Sequence, residues 1–181
     1  CLYSDSEFSQ KIINSKGLNL SFANNIAYLF LSVVAKEGDE IRSANKFQIT
    51  QNFSDFNPKD IASKAVEEAT SLFGATSIKS GSYPIILRND IAAKILSTFS
   101  STLSAENVQK GLSLFVDKIG DKVAGNNFNL IDDPFFEDGF NSTPFDGEGV
   151  ATRKKEIIKD GVLTTFLHNL KTAKRAGVES T

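Results

Sequence analysis

The sequence predicts an α+β protein, rich in antiparallel strands and carrying two or three packed helices, on three observations. In the first half, runs of β-branched and aromatic residues alternate with polar ones and are separated by short clusters of Asn, Gly and Asp, the pattern of strands joined by tight turns. Asn57 and Pro58 then open a stretch whose apolar residues recur at helical spacing, with Asn suited to the cap and Pro to the first helical position. Near the end, Lys159, Asp160 and Gly161 stand between two apolar runs, and an Asp-Gly pair accommodates the positive φ values of a two-residue hairpin turn.

In chain order, residues 11–14, 18–22, 26–35 and 41–53 are expected as strands of an antiparallel meander. Turns are expected at residues 14–17, at Asn24 and Asn25, and at residues 37–39, where the residue types tolerate positive φ. A helix is expected over about residues 58–73. Its stripe of Ile61, Ala65, Val66, Ala69, Leu72 and Phe73 should cover one face of the sheet, and Gly74 should close it. Ser80, Gly81 and Ser82 mark a boundary, so that residues 1–80 form a central α+β region and residues 81–181 a second one. The second region opens with an expected strand at 83–87. A helix capped by Asn89 follows, to about Leu103, with Ile91, Ile95, Leu96, Phe99 and Leu103 as its buried face. Burial there predicts that Phe99→Ala costs about 3–5 kcal/mol. Residues 128–131 read as a strand leading into Asp132, Asp133 and Pro134, and residues 156–158 and 162–167 as the arms of the hairpin. Arg153, Lys154 and Lys155 are expected on a solvated strand edge, and Lys171, Lys174 and Arg175 on a polar helix face. No repeat at a solenoid period and no low-complexity tract is present.

The balance of charge narrows the function. Twenty-two acidic residues against 20 basic ones leave a net charge of -2, which supplies no field for phosphate backbones or anionic membrane. Nucleic acid is not an expected partner. The longest apolar run, residues 26–35, is half of the ~20 residues that cross a bilayer, so no membrane span is expected. Cys1 is the single cysteine and can form no internal disulfide, which fits a reducing compartment. A chain that begins at Cys1 and contains no methionine is expected to be a piece of a longer protein.

Candidate chemistry is sparse. His168 is the sole histidine, too few for a histidine-based zinc site, and a surface or hydrogen-bonding role is expected for it. Cys1 has no histidine near it in sequence and is not expected to act as a nucleophile. Asp132, Asp133, Glu137, Asp138, Asp146 and Glu148 form an acidic cluster interleaved with Gly139, Gly147 and Gly149. It could hold a hard cation, but its spacing is wrong for an EF-hand loop, and carboxylates in turns more often accept backbone hydrogen bonds. A pair of these carboxylates acting as general acid and base is an alternative whose separation the spacing leaves open. Glycine-rich phosphate loops are absent.

Six segments, in order, resemble the TldD/PmbA family: Asn14 to Gly17 with the strand after it; Ser80 to Leu87; Leu130 to Pro134; Pro144 to Val150, with Asp146, Gly147, Glu148 and Gly149; Asp160 to Leu163; and Thr172 and Ala173 with Ser180 and Thr181. The resemblance covers nearly the whole chain. It implies a fragment of a larger two- or three-domain protein, comprising the central region and the opening of a strand-rich C-terminal domain of metalloprotease type.

The family contains two kinds of subunit. In the TldD kind, the helix after the strand matching residues 83–87 carries HExxxH, whose histidines hold zinc and whose glutamate serves as general base. The matching positions here are Ser97, Thr98 and Thr102, and hydroxyls replace neither imidazole ligands nor a base near neutral pH. The resemblance is therefore to the PmbA (TldE) branch. It implies no catalytic residue, metal or cofactor in this chain, a zinc on a TldD-like partner subunit, a cytoplasmic heterodimer and an extended or unfolded peptide substrate. A homodimer is a further possibility. Asp132, Asp133, Pro134, Asp146, Gly147, Glu148 and Gly149 are expected as structural turn residues. The competing readings are a regulatory or binding protein, from the family's description as a modulator of DNA gyrase, and an independent hydrolase built on the acidic cluster.

Overall fold

The computed structural model describes residues 1–136 and 139–181 and divides into two compact units, Cys1–Ser82 and Tyr83–Thr181.

The first unit is a three-stranded antiparallel sheet with one helix. Strands β1 (Leu2–Ile13), β2 (Asn19–Glu37) and β3 (Glu40–Thr50) lie in the order β1-β2-β3. β1 pairs with β2 from Leu2 opposite Phe30 to Ile13 opposite Asn19, and β2 pairs with β3 from Ala27 opposite Thr50 to Glu37 opposite Glu40. The turns at 14–17 and 37–39 are where the sequence places them. Asn24 and Asn25, however, lie inside β2 rather than in a turn. They sit just past the last β3 residue, where Asn25 Nδ2 donates to the Gln51 carbonyl at 2.6 Å and Gln51 Nε2 donates to Asn24 Oδ1 at 3.0 Å. The pair marks the end of β3 pairing, not a reversal of the chain. The expected strand over 41–53 also stops earlier, because Asn52 accepts the Ser54 N–H and winds residues Phe53–Asp55 into a short 3-10 turn.

Helix α1 (Pro58–Ser71) is capped by Asn57, which accepts the Asp60 N–H at 3.2 Å. Ile61, Ala65 and Ala69 are buried, as are Ala27, Leu29 and Ala44 of the sheet, while Val66 and Leu72 of the expected stripe stay exposed. The helix is tied to β3 by the Lys46–Glu68 ion pair and by Arg42 Nε donating to the Leu72 carbonyl at 2.9 Å. Alternation then sends Tyr28, Phe30, Val34, Phe47 and Ile49 to the opposite face, which no helix of this unit covers.

The second unit contains α2 (Asn89–Thr98), a 3-10 turn over Ser100–Leu103, α3 (Ala105–Gln109), β4 (Leu130–Asp132), β5 (Lys155–Lys159), β6 (Val162–Leu163) and α4 (Leu170–Ala176), with the strands in the order β4-β5-β6. Its core is Leu103, Ala105, Ile157, Ile158, Leu163 and Phe166. The β5–β6 hairpin turns through Asp160 and Gly161 at φ 48° and 81°, as the Asp-Gly pair predicts. Its tip is buried in a loop: Val123 and Ala124 N–H groups donate to the Gly161 carbonyl at 2.8 and 3.1 Å, and Gly161 N–H donates to that of Phe128 at 2.9 Å. A Cβ on Gly161 would stand 2.5 Å from the Ala124 oxygen, so glycine is required there for space as well as for φ.

Several expectations fail in this unit, among them the strand arm expected over 162–167, of which only Val162–Leu163 forms. Residues 83–87 form no strand; Ile86 is 99% exposed, and among the described residues no strand lies alongside to supply the hydrogen bonds that a strand needs. The helix from Asn89 stops at Thr98 rather than Leu103, and Asn89 is its first residue rather than its cap. Hydroxyls that donate back to the carbonyls one turn earlier break it, among them Ser97 to Lys94 at 2.8 Å and Ser100 to Ser97 at 2.7 Å. Of the stripe expected to be buried, only Leu103 is; Ile91, Ile95, Leu96 and Phe99 are exposed, Phe99 by 51%. The 3–5 kcal/mol assigned to Phe99→Ala therefore does not follow. Finally, Arg153 and Lys154 precede β5 instead of lying on a strand edge.

Candidate functional site

Two concavities flank β4 in the second unit, and its residues Leu130 and Ile131 line one each. Leu130 lines an apolar groove of about 510 Å³ together with Leu96, Phe99, Phe115, Val123 and Phe128. Ile131 lines a polar pocket of about 780 Å³ with Asp132, Asp133, Pro134, Asp146, Lys154 and Lys155. The sequence-derived candidates thus divide: Ser97 and Thr102 edge the groove, Asp132, Asp133, Pro134 and Asp146 edge the pocket, and Thr98 and Glu148 line neither.

At the groove, the three hydroxyls are occupied by their own backbone. Ser97 Oγ and Thr98 Oγ1 both donate to the Lys94 carbonyl, at 2.8 and 3.2 Å, and Thr102 Oγ1 donates to that of Phe99 at 2.6 Å. The aromatic lining from Phe115 and Phe128 was not anticipated as part of a site. Phe115 stands in a short apolar run between Leu114 and Val116, and Phe128 between asparagines at the start of the strand expected over 128–131, and neither pattern marks a site.

At the pocket, the carboxylates are matched by amines. Lys155 Nζ meets Asp132 at 2.8 Å and Lys154 Nζ meets Asp133 at 2.8 Å. The hydrogen bond between Lys154 and Asp133 holds the Asp133 carboxyl below its ordinary range and the lysine above its own, so both are charged near neutral pH. Asp133 also accepts the Phe135 N–H at 3.1 Å. Glu137 and Asp138 lie outside the described residues.

The Asp146–Gly149 turn organises backbone. Asp146 Oδ1 accepts the Glu148 and Val150 N–H groups at 2.8 and 2.9 Å, and Gly149 takes φ 81°. Glu148 then reaches Leu170, whose N–H donates to it at 2.8 Å. Leu170 is the first residue of α4, one of the amides that a helix leaves unpaired at its start. The same terminus carries a capping box of Asn169 with Thr172, a spacing readable in the sequence but not singled out from it. His168 lies just before, its backbone carbonyl accepting Ser180 Oγ at 2.9 Å and the Thr181 N–H at 3.1 Å. Partial burial lowers its pKa, against a hydrogen bond with the Thr172 backbone that raises it.

The domain description PmbA/TldA metallopeptidase central domain matches residues 2–73, and PmbA/TldA metallopeptidase C-terminal domain matches residues 80–181. The chain belongs to the PmbA/TldD family. A family member from Haemophilus influenzae named metalloprotease PmbA homolog is 27% identical over 93% of this chain. A solved structure from Thermotoga maritima, described as a proposed modulator of a DNA gyrase, superposes on 99% of the chain with TM-score 0.96 and 40% identity. TldE from Thermococcus kodakarensis does so over 99% with TM-score 0.85 and 25% identity. The chain spans 38% of the Haemophilus protein and 42% and 41% of the two solved chains, about two fifths of this PmbA/TldD length. The zinc that a metallopeptidase family implies finds no fit at Ser97, Thr98 and Thr102, whose hydroxyls are spent on helix carbonyls. Among the described residues no three of His, Cys, Asp and Glu come together as a metal ion would require, and no helix is long and apolar enough to cross a membrane.

Proposed function

We propose that this chain is part of a TldE-type subunit that binds no metal and completes a cytoplasmic metalloprotease with a TldD-like partner, the zinc residing on that partner and the substrate being an unfolded or extended peptide. The observation that carries this is the chemistry at Ser97, Thr98 and Thr102. Each hydroxyl donates to a helix carbonyl, and none has the pKa or softness to serve as zinc ligand or base. The likeness to a TldE structure and to a protein named metalloprotease PmbA homolog supports the same reading. On it, the chain contributes walls and binding surface, and no chemical step runs through its side chains.

The test is peptidase activity and metal content of the full-length protein, alone and mixed with a TldD-like subunit. Activity in the mixture only, with no tightly held zinc on this protein alone, is the expected result. About one zinc per chain, or full activity of the partner without this protein, would overturn it. A regulatory reading is favoured by one observation, the description of the Thermotoga maritima structure as a proposed gyrase modulator; it predicts no peptidase activity in any mixture.

A further inference from the structure

We infer that the outer edge of β1 takes up an extended peptide as a fourth strand, and that its acidic residues select peptides with lysine or arginine at two alternate positions. This rests on the reading above, in which the substrate is an extended peptide, and adds where such a peptide docks. β1 is the outer strand in the order β1-β2-β3, and its pairing with β2 runs from Leu2 to Ile13 without a shift in register. In an antiparallel edge strand about half of the N–H and C=O groups turn away from the paired neighbour. Among the described residues no backbone hydrogen bond other than those to β2 reaches Leu2–Ile13. Proline, bulges and repeated lysines are the usual means of closing an edge to another strand. Of these, β1 carries Lys11 alone, near its far end.

The side chains of the edge define what the fourth strand carries. Asp5 and Glu7 are two residues apart and so share a face, opposite Ala27 and Asn25 of β2. Neither neighbour supplies a cation. Asp5 accepts the Tyr3 hydroxyl at 3.0 Å, and among the described residues no lysine or arginine forms an ion pair with Asp5 or Glu7. A strand laid along β1 would set its own alternate side chains beside these carboxylates, where opposite charges stabilise the pairing and like charges oppose it. Tyr3 continues the same row, edge-on to Phe53 at 5.9 Å and to Phe56 at 5.8 Å, and Phe53 is 70% exposed. The place beside the two cations therefore suits an apolar side chain. The backbone ladder supplies affinity and the row of Tyr3, Asp5 and Glu7 supplies selectivity.

The experiment is fluorescence anisotropy of the dye-labelled peptide Leu-Thr-Lys-Thr-Lys-Thr-Leu, whose order suits either strand direction, with the full-length protein and no TldD-like subunit. Saturable binding is expected, weakened about 10-fold or more when both lysines are replaced by glutamate. Methylating the amide nitrogens of alternate peptide residues should abolish binding for the set that faces β1 and spare it for the other set. The variant Asp5→Lys/Glu7→Lys should reverse the preference and bind the glutamate peptide, a gain that also shows the variant to be folded. No binding, as when a second copy or another segment of the protein already occupies the edge, would overturn the inference. So would binding indifferent to the exchange of lysine for glutamate, or binding that both methylated sets leave unchanged. With the partner absent, these outcomes bear on the docking edge alone, while peptidase activity of the mixture separately tests the protease-subunit reading.

Discussion

The two units each contain a tight hairpin with glycine at positive φ, yet the two turns have different duties. In the first unit Gly38 joins β2 to β3 at φ 58°, and an added Cβ would meet nothing within 4 Å. In the second, Gly161 joins β5 to β6 at φ 81°, with the Ala124 and Gly125 carbonyl oxygens 2.5 and 2.6 Å from where a Cβ would stand. One turn only reverses the chain. The other is a packing element, because a loop folds over it and spends three backbone hydrogen bonds on Gly161. The same residue type is thus held in place by local conformation in one case and by tertiary packing in the other.

Gly161→Ala is the sharpest way to test that difference. It should cost about 3 kcal/mol or more, the strain of positive φ adding to a backbone clash, while Gly38→Ala should cost about 1 to 2 kcal/mol. Urea denaturation of the two variants measures both, and equal losses would show that the loop over Gly161 yields easily. The next comparison sets the buried side of the second unit against its exposed helix. Leu163, fully buried, should lose about 2–5 kcal/mol on Leu163→Ala, and half-exposed Phe99 no more than about 1 kcal/mol on Phe99→Ala. A large loss at Phe99 in the full-length protein would mean that another segment closes the groove.

Those contrasts also show what the sequence could reveal. The Asn57 cap, the Ile61, Ala65 and Ala69 part of the α1 stripe and the Asp160–Gly161 turn are short-range signals, each decided within a few residues, and each is found where it was expected. Asn24 and Asn25 were misread as a turn because their pairing with Gln51 joins distant parts of the chain. The residues at 83–87 have strand-forming side chains but no neighbouring strand, and periodicity reports what a segment favours rather than what lies beside it. For α2, hydroxyls crowded into residues 97–102 favour local back-bonds over helix, which an apolar count ignores. At the candidate site the acidic turns were visible as a cluster, but their lysine partners come from residues 154 and 155, and no spacing rule joins the two.

Smaller effects sharpen the reading of the acidic turn. Glu148→Ala should cost about 1 kcal/mol by leaving the Leu170 N–H unpaired at a helix start. Glu148→Gln should cost less than about 0.5 kcal/mol, since the amide oxygen can accept the same hydrogen bond. Thermal denaturation separates these, and a peptidase activity of the isolated protein abolished by Glu148→Gln would instead favour the independent-hydrolase alternative. The smallest effect concerns His168. Its folded-state pKa is lowered by partial burial, so the unfolded chain binds the proton more readily. The contribution to stability is present above the unfolded value of about 6.5 and is lost as pH falls through the lower folded value. Between pH 7.5 and 5, wild type should therefore lose slightly more stability than His168→Gln, as denaturant midpoints at several pH values would show.

The order β1-β2-β3 followed by α1 has a consequence for the moment of synthesis. Every strand of the first sheet pairs with its neighbour in sequence, so each hairpin can close as soon as its second arm leaves the ribosome, at little cost in loop entropy. The second unit's strands also pair in sequence order, but its core reaches further along the chain. Its core needs the bridge between Ser104 and Leu167, and Ser104 has to wait for Leu167 to be made. The first sheet is thus complete while the second unit is still an open chain, and pulsed proteolysis of stalled nascent chains ending near residue 155, long enough for residues 83–110 to have left the ribosome but short of Leu167, should find residues 2–71 protected and residues 83–110 cut.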